Sequence, residues 1–212
     1  MDGSGDTPQY MSAWMKHKYG NWIDCPEITQ MGIYPLLPLQ FQDNSCFRIA
    51  SPNSNTEFFV VEYRLKEGIY EVNTPGNDSG MLIYRINANL NGNANGPPDE
   101  VYLYRPGGTT YDSGNLNEAV FSMETGRTEF NDSTDPSCFL YGDYPGGLNI
   151  RDIGSAGDII EFTYSNIFVQ SEMLAISGDT DGDGVLNPGE SAIFTLAASV
   201  ESGPGMGENV TG

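Results

Sequence analysis

The chain has 212 residues, enough for one good domain or one and a half, and a chain of this size buries about 70% of its unfolded surface on folding. Nine Lys and Arg stand against 29 Asp and Glu, a formal charge of −20 with only 18% charged residues, so the acidity comes from scarcity of Lys and Arg. Such a surface repels phosphates and attracts divalent cations, which makes nucleic acid and anionic membranes poor partners; 11% aromatics, 26 Gly and 13 Pro argue for a loop-rich β protein and against disorder.

In chain order, residues 1–6 are small and acidic and read as a loop. A helix is expected over about 7–19, with Thr7 as N-cap and Pro8 at its first position. Tyr10, Met11, Trp14 and Tyr19 give it an apolar stripe for core packing, and Gly20 suits its C-cap. His17, the only histidine, stands beside two lysines and reads as a surface residue rather than a catalytic one. Trp22–Gly32 is a connector. From Ile33 onward the pattern is β, with strands expected at Ile33–Leu37, Cys46–Ile49, Glu57–Leu65, Gly80–Ile86, Glu100–Tyr104 and Ile159–Tyr164. Phe58–Val61 is a continuous apolar run and is expected at the centre of a sheet. The stretches 68–80 and 87–98 are Gly/Asn/Pro-rich loops.

Tyr-Arg recurs in three of these strands, as Tyr63-Arg64, Tyr84-Arg85 and Tyr104-Arg105, and Glu62 shares a face with Arg64. The plain reading is cross-strand pairing on a solvated face, worth about 0.2–1 kcal/mol per pair. The alternative is an aromatic-rimmed substrate groove. Residues 106–158 hold further loops, and 165–177 bridge to the most distinctive motif of the chain.

That motif is Asp179–Glu190, Asp-Thr-Asp-Gly-Asp-Gly-Val-Leu-Asn-Pro-Gly-Glu. Oxygen donors fall at Asp179, Asp181, Asp183, Asn187 and Glu190, Val185 offers its backbone carbonyl, and Gly184 takes the sharp turn. This is the twelve-residue calcium loop. Calcium takes six to eight oxygens, and a divalent ion removes the repulsion among three crowded aspartates. The loop occurs once, and Phe194, Leu196, Ala198 and Val200 alternate after it as in a half-buried strand. The expected role is therefore a structural calcium clip before the start of a truncated Ig-like β module at 191–212, rather than an EF-hand sensor.

Three cysteines, Cys25, Cys46 and Cys138, allow one disulfide and one thiol without identifying the pair. No Cys-x-x-Cys or Cys/His cluster supports a zinc site built from these residues. No signal peptide opens the sequence and no apolar run is long enough for a transmembrane helix. The calcium loop and acidic, Gly/Asn-rich surface nevertheless point to a secreted or cell-surface protein, an expectation that requires Met1 to be an internal residue of a longer polypeptide.

Several stretches together resemble the secreted metallopeptidases of the immune inhibitor A type. Met11-Ser-Ala-Trp-Met-Lys-His-Lys-Tyr-Gly-Asn-Trp22 resembles the segment that follows the active site in that family. Phe58-Phe-Val-Val-Glu-Tyr-Arg64 and Gly80-Met-Leu-Ile-Tyr-Arg-Ile86 resemble two of its strands, and Phe130, Asp135-Pro136-Ser137, Gly147, Ile150 and Ile153 resemble the end of the same region. The likeness covers about residues 1–165. It implies that 1–24 end a catalytic domain, that 25–165 form the β-rich region behind it, and that 166–190 are a linker carrying the calcium loop. The family's zinc is held by a His-Glu-x-x-His helix whose Glu activates the bound water. This chain has one His and no such motif, so no catalytic residue is carried onto any position. Zinc and catalysis would belong to the full-length enzyme, and this chain's partners would be the upstream catalytic domain and, through it, protein substrates. The fold expected is mainly β: one N-terminal helix, an antiparallel sandwich-like region, then the start of a truncated β-sandwich module. The rival reading is a non-catalytic, calcium-stabilised extracellular β module that binds glycan or protein.

Overall fold

The computed structural model describes residues 9–40, 44–165, 167–177 and 193–202, the last two stretches as backbone alone. The fold is mainly β, and the chain divides into two units, Met1–Asn166 and Ile167–Gly212.

In the first unit a short helix α1 (Ala13–Met15) leads into β1 (Glu27–Ile28), β2 (Gly32–Leu36), β3 (Cys46–Ala50), β4 (Glu57–Arg64), β5 (Gly80–Asn87), β6 (Val101–Leu103), β7 (Ile150–Arg151) and β8 (Ile160–Tyr164). Five strands form one sheet in the order β1-β3-β4-β5-β6, and three form another in the order β2-β8-β7. All the pairings are antiparallel except β1 with β3. Pro35 lies in β2, at the edge of the smaller sheet, where a missing N–H breaks no ladder.

β4 holds the centre of the five-stranded sheet, as its apolar run predicts. Side chains alternate across a strand, and here both faces are covered. Phe59, Val61 and Tyr63 with Met81 and Ile83 pack against Leu36, Ile150, Ile160 and Phe162 of the smaller sheet. Val60, Leu82, Tyr84 and Ile86 pack on the other side against Ala13, Trp14, Ile23 and Leu39. Burial on both faces is the reason β4 and β5 read as continuous apolar runs instead of alternating ones.

The N-terminal helix is shorter than the 7–19 expected. Its N-cap is Ser12, whose Oγ accepts from the Met15 N–H at 3.4 Å, and Thr7 lies outside the described residues. Tertiary bonds hold the preceding chain extended: the Tyr10 N–H donates to the Tyr70 carbonyl at 3.3 Å, and Arg64 takes the Met11 carbonyl at 2.9 Å. Lys16–Gly20 then widens into a π-helical turn, closed by Asn21 in the left-handed region at φ 51°. Gly20 lies inside the π-helical turn rather than at its cap, and a Cβ there would meet the ring of the exposed Trp22 at 2.6 Å, so that ring would have to move.

The long stretch between β6 and β7 carries little regular structure and is tied down by side chains. Asp132 accepts from the Gly146 N–H at 2.8 Å and the Gly147 N–H at 3.1 Å, and the Tyr104 hydroxyl donates to the Phe139 carbonyl. A Cβ on Gly146 would lie 1.9 Å from the Cys138 carbonyl oxygen, so the chain passes there only as glycine.

The described residues of the second unit form an antiparallel pair, β9 (Ile167–Ser177) and β10 (Ile193–Ser202), with a register shift between Thr195 and Leu196. The expected strand after the calcium loop corresponds to β10. Where the sequence reading placed a linker, 167–177 instead form β9, a full partner for β10.

Candidate functional site

Tyr63-Arg64 and Tyr84-Arg85 do not lie on a solvated face, whereas Tyr104-Arg105 follows β6 with Tyr104 buried and Arg105 partly exposed. Arg64 and Glu62 are 2% and 0% exposed, and Tyr63, Tyr84, Arg85 and Tyr104 are also buried. A charge buried without a partner costs several kcal/mol, so charged residues in strands covered on both faces must be paired.

The pairing is dense. Arg64 donates through Nε to Glu62 Oε1 at 2.7 Å, through Nη1 to Glu71 Oε1 at 3.0 Å and through Nη2 to the Met11 carbonyl. Glu62 also accepts the Tyr84 hydroxyl at 2.9 Å and the backbone N–H of Ala13 at 2.5 Å. That N–H is among the donors a helix start leaves without an internal partner. β4 thus holds the start of α1, and Tyr84 of β5 bonds the same glutamate. Burial raises the Glu71 carboxyl, with Arg64 pulling the other way. Burial and the neighbouring Glu62 push the Tyr84 hydroxyl well above its ordinary range. Arg85 pairs with Glu57 at 3.3 Å, and its guanidinium lies 5.2 Å from the Tyr102 ring centroid and 5.4 Å from that of Phe139.

A second hub fixes the other end of the same segment. Glu100, with its side chain 1% exposed, accepts from Lys18 Nζ at 2.7 Å, Trp14 Nε1 at 3.1 Å, the Tyr19 hydroxyl at 2.5 Å and the Gly92 N–H. Burial opposes its ionisation, yet the bonds from Lys18, Tyr19, Gly92 and Trp14 overcome it and lower the carboxyl to about 2. In the unfolded chain a glutamate titrates near 4.3. The depressed folded value means that this hub stabilises the fold above that pH and loses its contribution as pH falls towards 2. The expected loss is about 3 kcal/mol. Acid unfolding of Glu100→Gln should show a flatter slope between about pH 5 and 2 than that of the parent, and an unchanged slope would exclude Glu100 as the source.

Beside this hub runs a cleft of about 390 Å³ lined by Met15, Tyr19, Tyr84, Glu100, Tyr102 and Arg105 among others. The Arg105 guanidinium sits 5.3 Å from the Tyr102 ring centroid, and Tyr19 is half-exposed at the rim. Of the three Tyr-Arg pairs, only Tyr84 and Arg105 line this cleft, where Tyr19 and Tyr102 join them. Glu100 at its wall already accepts four hydrogen bonds, and the aromatic rings and Arg105 offer stacking and hydrogen bonding.

His17 is half-buried rather than on the surface, with Nδ1 3.1 Å from the Ile23 carbonyl oxygen and its ring 5.7 Å from that of Trp14. The calcium-loop residues Asp179, Asp181, Asp183, Val185, Asn187 and Glu190 all lie outside the described residues. Among the described residues there is no group of three or more His, Cys, Asp or Glu placed to hold a metal ion, and no helix long and apolar enough to cross a membrane. Comparison with protein-family models, curated proteins and solved structures returns no match.

Proposed function

We propose that this chain is the supporting, non-catalytic part of a secreted zinc metalloendopeptidase of the immune inhibitor A type, joined to a β module through a calcium clip. One observation carries the reading. Three of the stretches that resemble the family, 11–22, 58–64 and 80–86, are far apart in sequence and meet in one buried network: the Met11 carbonyl and Ala13 N–H, Glu62 with Arg64, and the Tyr84 hydroxyl. A segment pinned so firmly to a sheet is a suitable brace for a domain that precedes it. The residues present do not fit zinc: the single His17 faces a backbone carbonyl, and the sequence has no His-Glu-x-x-His. On this reading peptide hydrolysis would belong to residues outside this chain.

The test is to read the coding region upstream of Met1 and assay the encoded polypeptide on casein. A His-Glu-x-x-His upstream and chelator-sensitive hydrolysis are expected, with the 212-residue chain inactive alone; a longer reading frame without a zinc motif overturns the proposal. The rival reading, an extracellular module that binds glycan or protein, is favoured by the aromatic-rimmed cleft, and glycan and protein binding by the isolated chain would distinguish it.

The calcium clip has its own expected result. Asp179, Asp181, Asp183, Val185, Asn187 and Glu190 supply the oxygen-rich donor set that calcium requires. Extracellular sites of this kind bind with Kd of about 10⁻⁴–10⁻³ M. Calcium at about 100 times Kd should add about 2.7 kcal/mol to the unfolding that involves the loop. Asp181→Ala should remove most of that gain, and melting unaltered by calcium in the parent chain would refute the clip.

A further inference from the structure

We propose that Cys25 and Cys46 form a disulfide site while Cys138 remains a thiol. The geometry follows from the parallel strand pair β1–β3. β1 and β3 run in register with Glu27 opposite Arg48 and Ile28 opposite Ile49, and the Arg48 N–H donates to the Pro26 carbonyl at 2.8 Å. Carrying the same register back two residues sets Cys25 opposite Cys46. Neighbouring strands lie about 4.7–4.9 Å apart, within the roughly 4.4–6.8 Å that a disulfide spans between its Cα atoms.

The side chains agree with the backbone. Both cysteines are buried in the same cluster, on the face of the sheet that α1 covers. The Cys46 thiol reaches the Asp24 carbonyl at 3.4 Å, one residue from Cys25. A hydrogen bond with Cys25 first, and burial second, push it well above the ordinary thiol range. Cys138 belongs to the core on the opposite face, with its thiol on Asp132 Oδ1 at 2.9 Å and the Leu148 carbonyl at 3.4 Å. The central sheet separates it from the other two. The odd cysteine count therefore resolves into one pair and one structural thiol.

Oxidation needs a disulfide oxidant such as glutathione disulfide. One cysteine thiolate attacks it, breaking its S–S bond and releasing one glutathione; the second cysteine attacks the mixed disulfide and releases the other. One protein S–S bond forms, two thiol hydrogens are lost, and two glutathione thiols carry away the protons and electrons. Burial of Cys46 favours this exchange during folding, before β1 closes against β3. The inference holds under either reading of the function.

The test is to refold the whole chain in a glutathione redox buffer, alkylate, denature, alkylate again and digest with trypsin. The tryptic peptide Tyr19–Arg48 contains both cysteines, and Thr128–Arg151 contains Cys138. The expected result is an unalkylated 19–48 peptide two hydrogens lighter than its thiol form, with 128–151 alkylated once. Cys138→Ser should leave the 19–48 result unchanged, and the parent should favour its folded state about 30- to 1,000-fold more without reductant than with it. Alkylation at all three cysteines, or covalent joining of 19–48 to 128–151, overturns the proposal.

Discussion

Arg64→Met is expected to destabilise the first unit by about 3–5 kcal/mol, the cost of stranding buried charges by removing their partner. Arg64 is the cation that Glu62 and Glu71 share, at 2.7 and 3.0 Å, and all three side chains are at most 2% exposed. A domain holds only about 5–15 kcal/mol in total, so the variant should sit near the edge of folding. Urea unfolding should give a much lower midpoint with an unchanged slope. The pH dependence tests the cause. Glu71 is already raised by burial, with Arg64 pulling the other way. Without Arg64 its folded pKa should climb further, so the folded state prefers the protonated acid and the variant regains stability as pH falls through that raised value. Adding Glu62→Gln and Glu71→Gln to Arg64→Met should recover part of the loss at neutral pH. A loss below about 1 kcal/mol for Arg64→Met alone, the range of surface ion pairs, would mean that the network does not stay dry in solution.

The same residues explain what the sequence disclosed and what it concealed. Strand positions were legible because β4, β5 and β8 are long, β-branched and bounded by turn residues; Glu57–Arg64, Gly80–Asn87 and Ile160–Tyr164 fall within one or two residues of the expected spans. Two-residue strands such as β1 and β7 have no period to read and exist because a neighbour completes them. The solvated-face reading of Tyr63-Arg64 and Tyr84-Arg85 rested on the residue types alone. The flanking runs Phe58–Val61 and Met81–Ile83 held the contrary signal: strands that are apolar on both faces are covered on both, and any charge within them is paired inside. Glu71 and Glu100 could not be found that way, because loops bring them to their partners across the fold. The helix from residue 7 failed for a related reason. Its propensity is local, whereas Arg64 and Tyr70 take the backbone of residues 10 and 11. The calcium ligands proposed from spacing within Asp179–Glu190 lie outside the described residues.

Trp14→Ala should be the other severe change, at about 3–5 kcal/mol. The indole is 8% exposed and packs among Val60, Leu82 and Ala119. Its ring meets Phe58 edge-on at 5.1 Å, and its N–H reaches Glu100 Oε1 at 3.1 Å. Trp14→Phe separates the two contributions: it keeps most of the packing and loses a bond to a charged acceptor worth about 1.5–3 kcal/mol. With one donor gone, the Glu100 carboxyl should rise from about 2, and the acid limb of the stability curve should move to higher pH. Hydrogen exchange locates the damage. Amides of 13–20 should lose protection in Trp14→Ala while those of β4 and β5 keep theirs, because the sheet retains its other face against β2, β7 and β8. Uniform loss across the sheet would instead make the helical segment part of the same cooperative unit as the strands. Both outcomes bear on the proposed brace. A segment that unpins alone can yield to a preceding domain, whereas one that melts with the sheet would transmit the sheet's full stability to whatever lies before it.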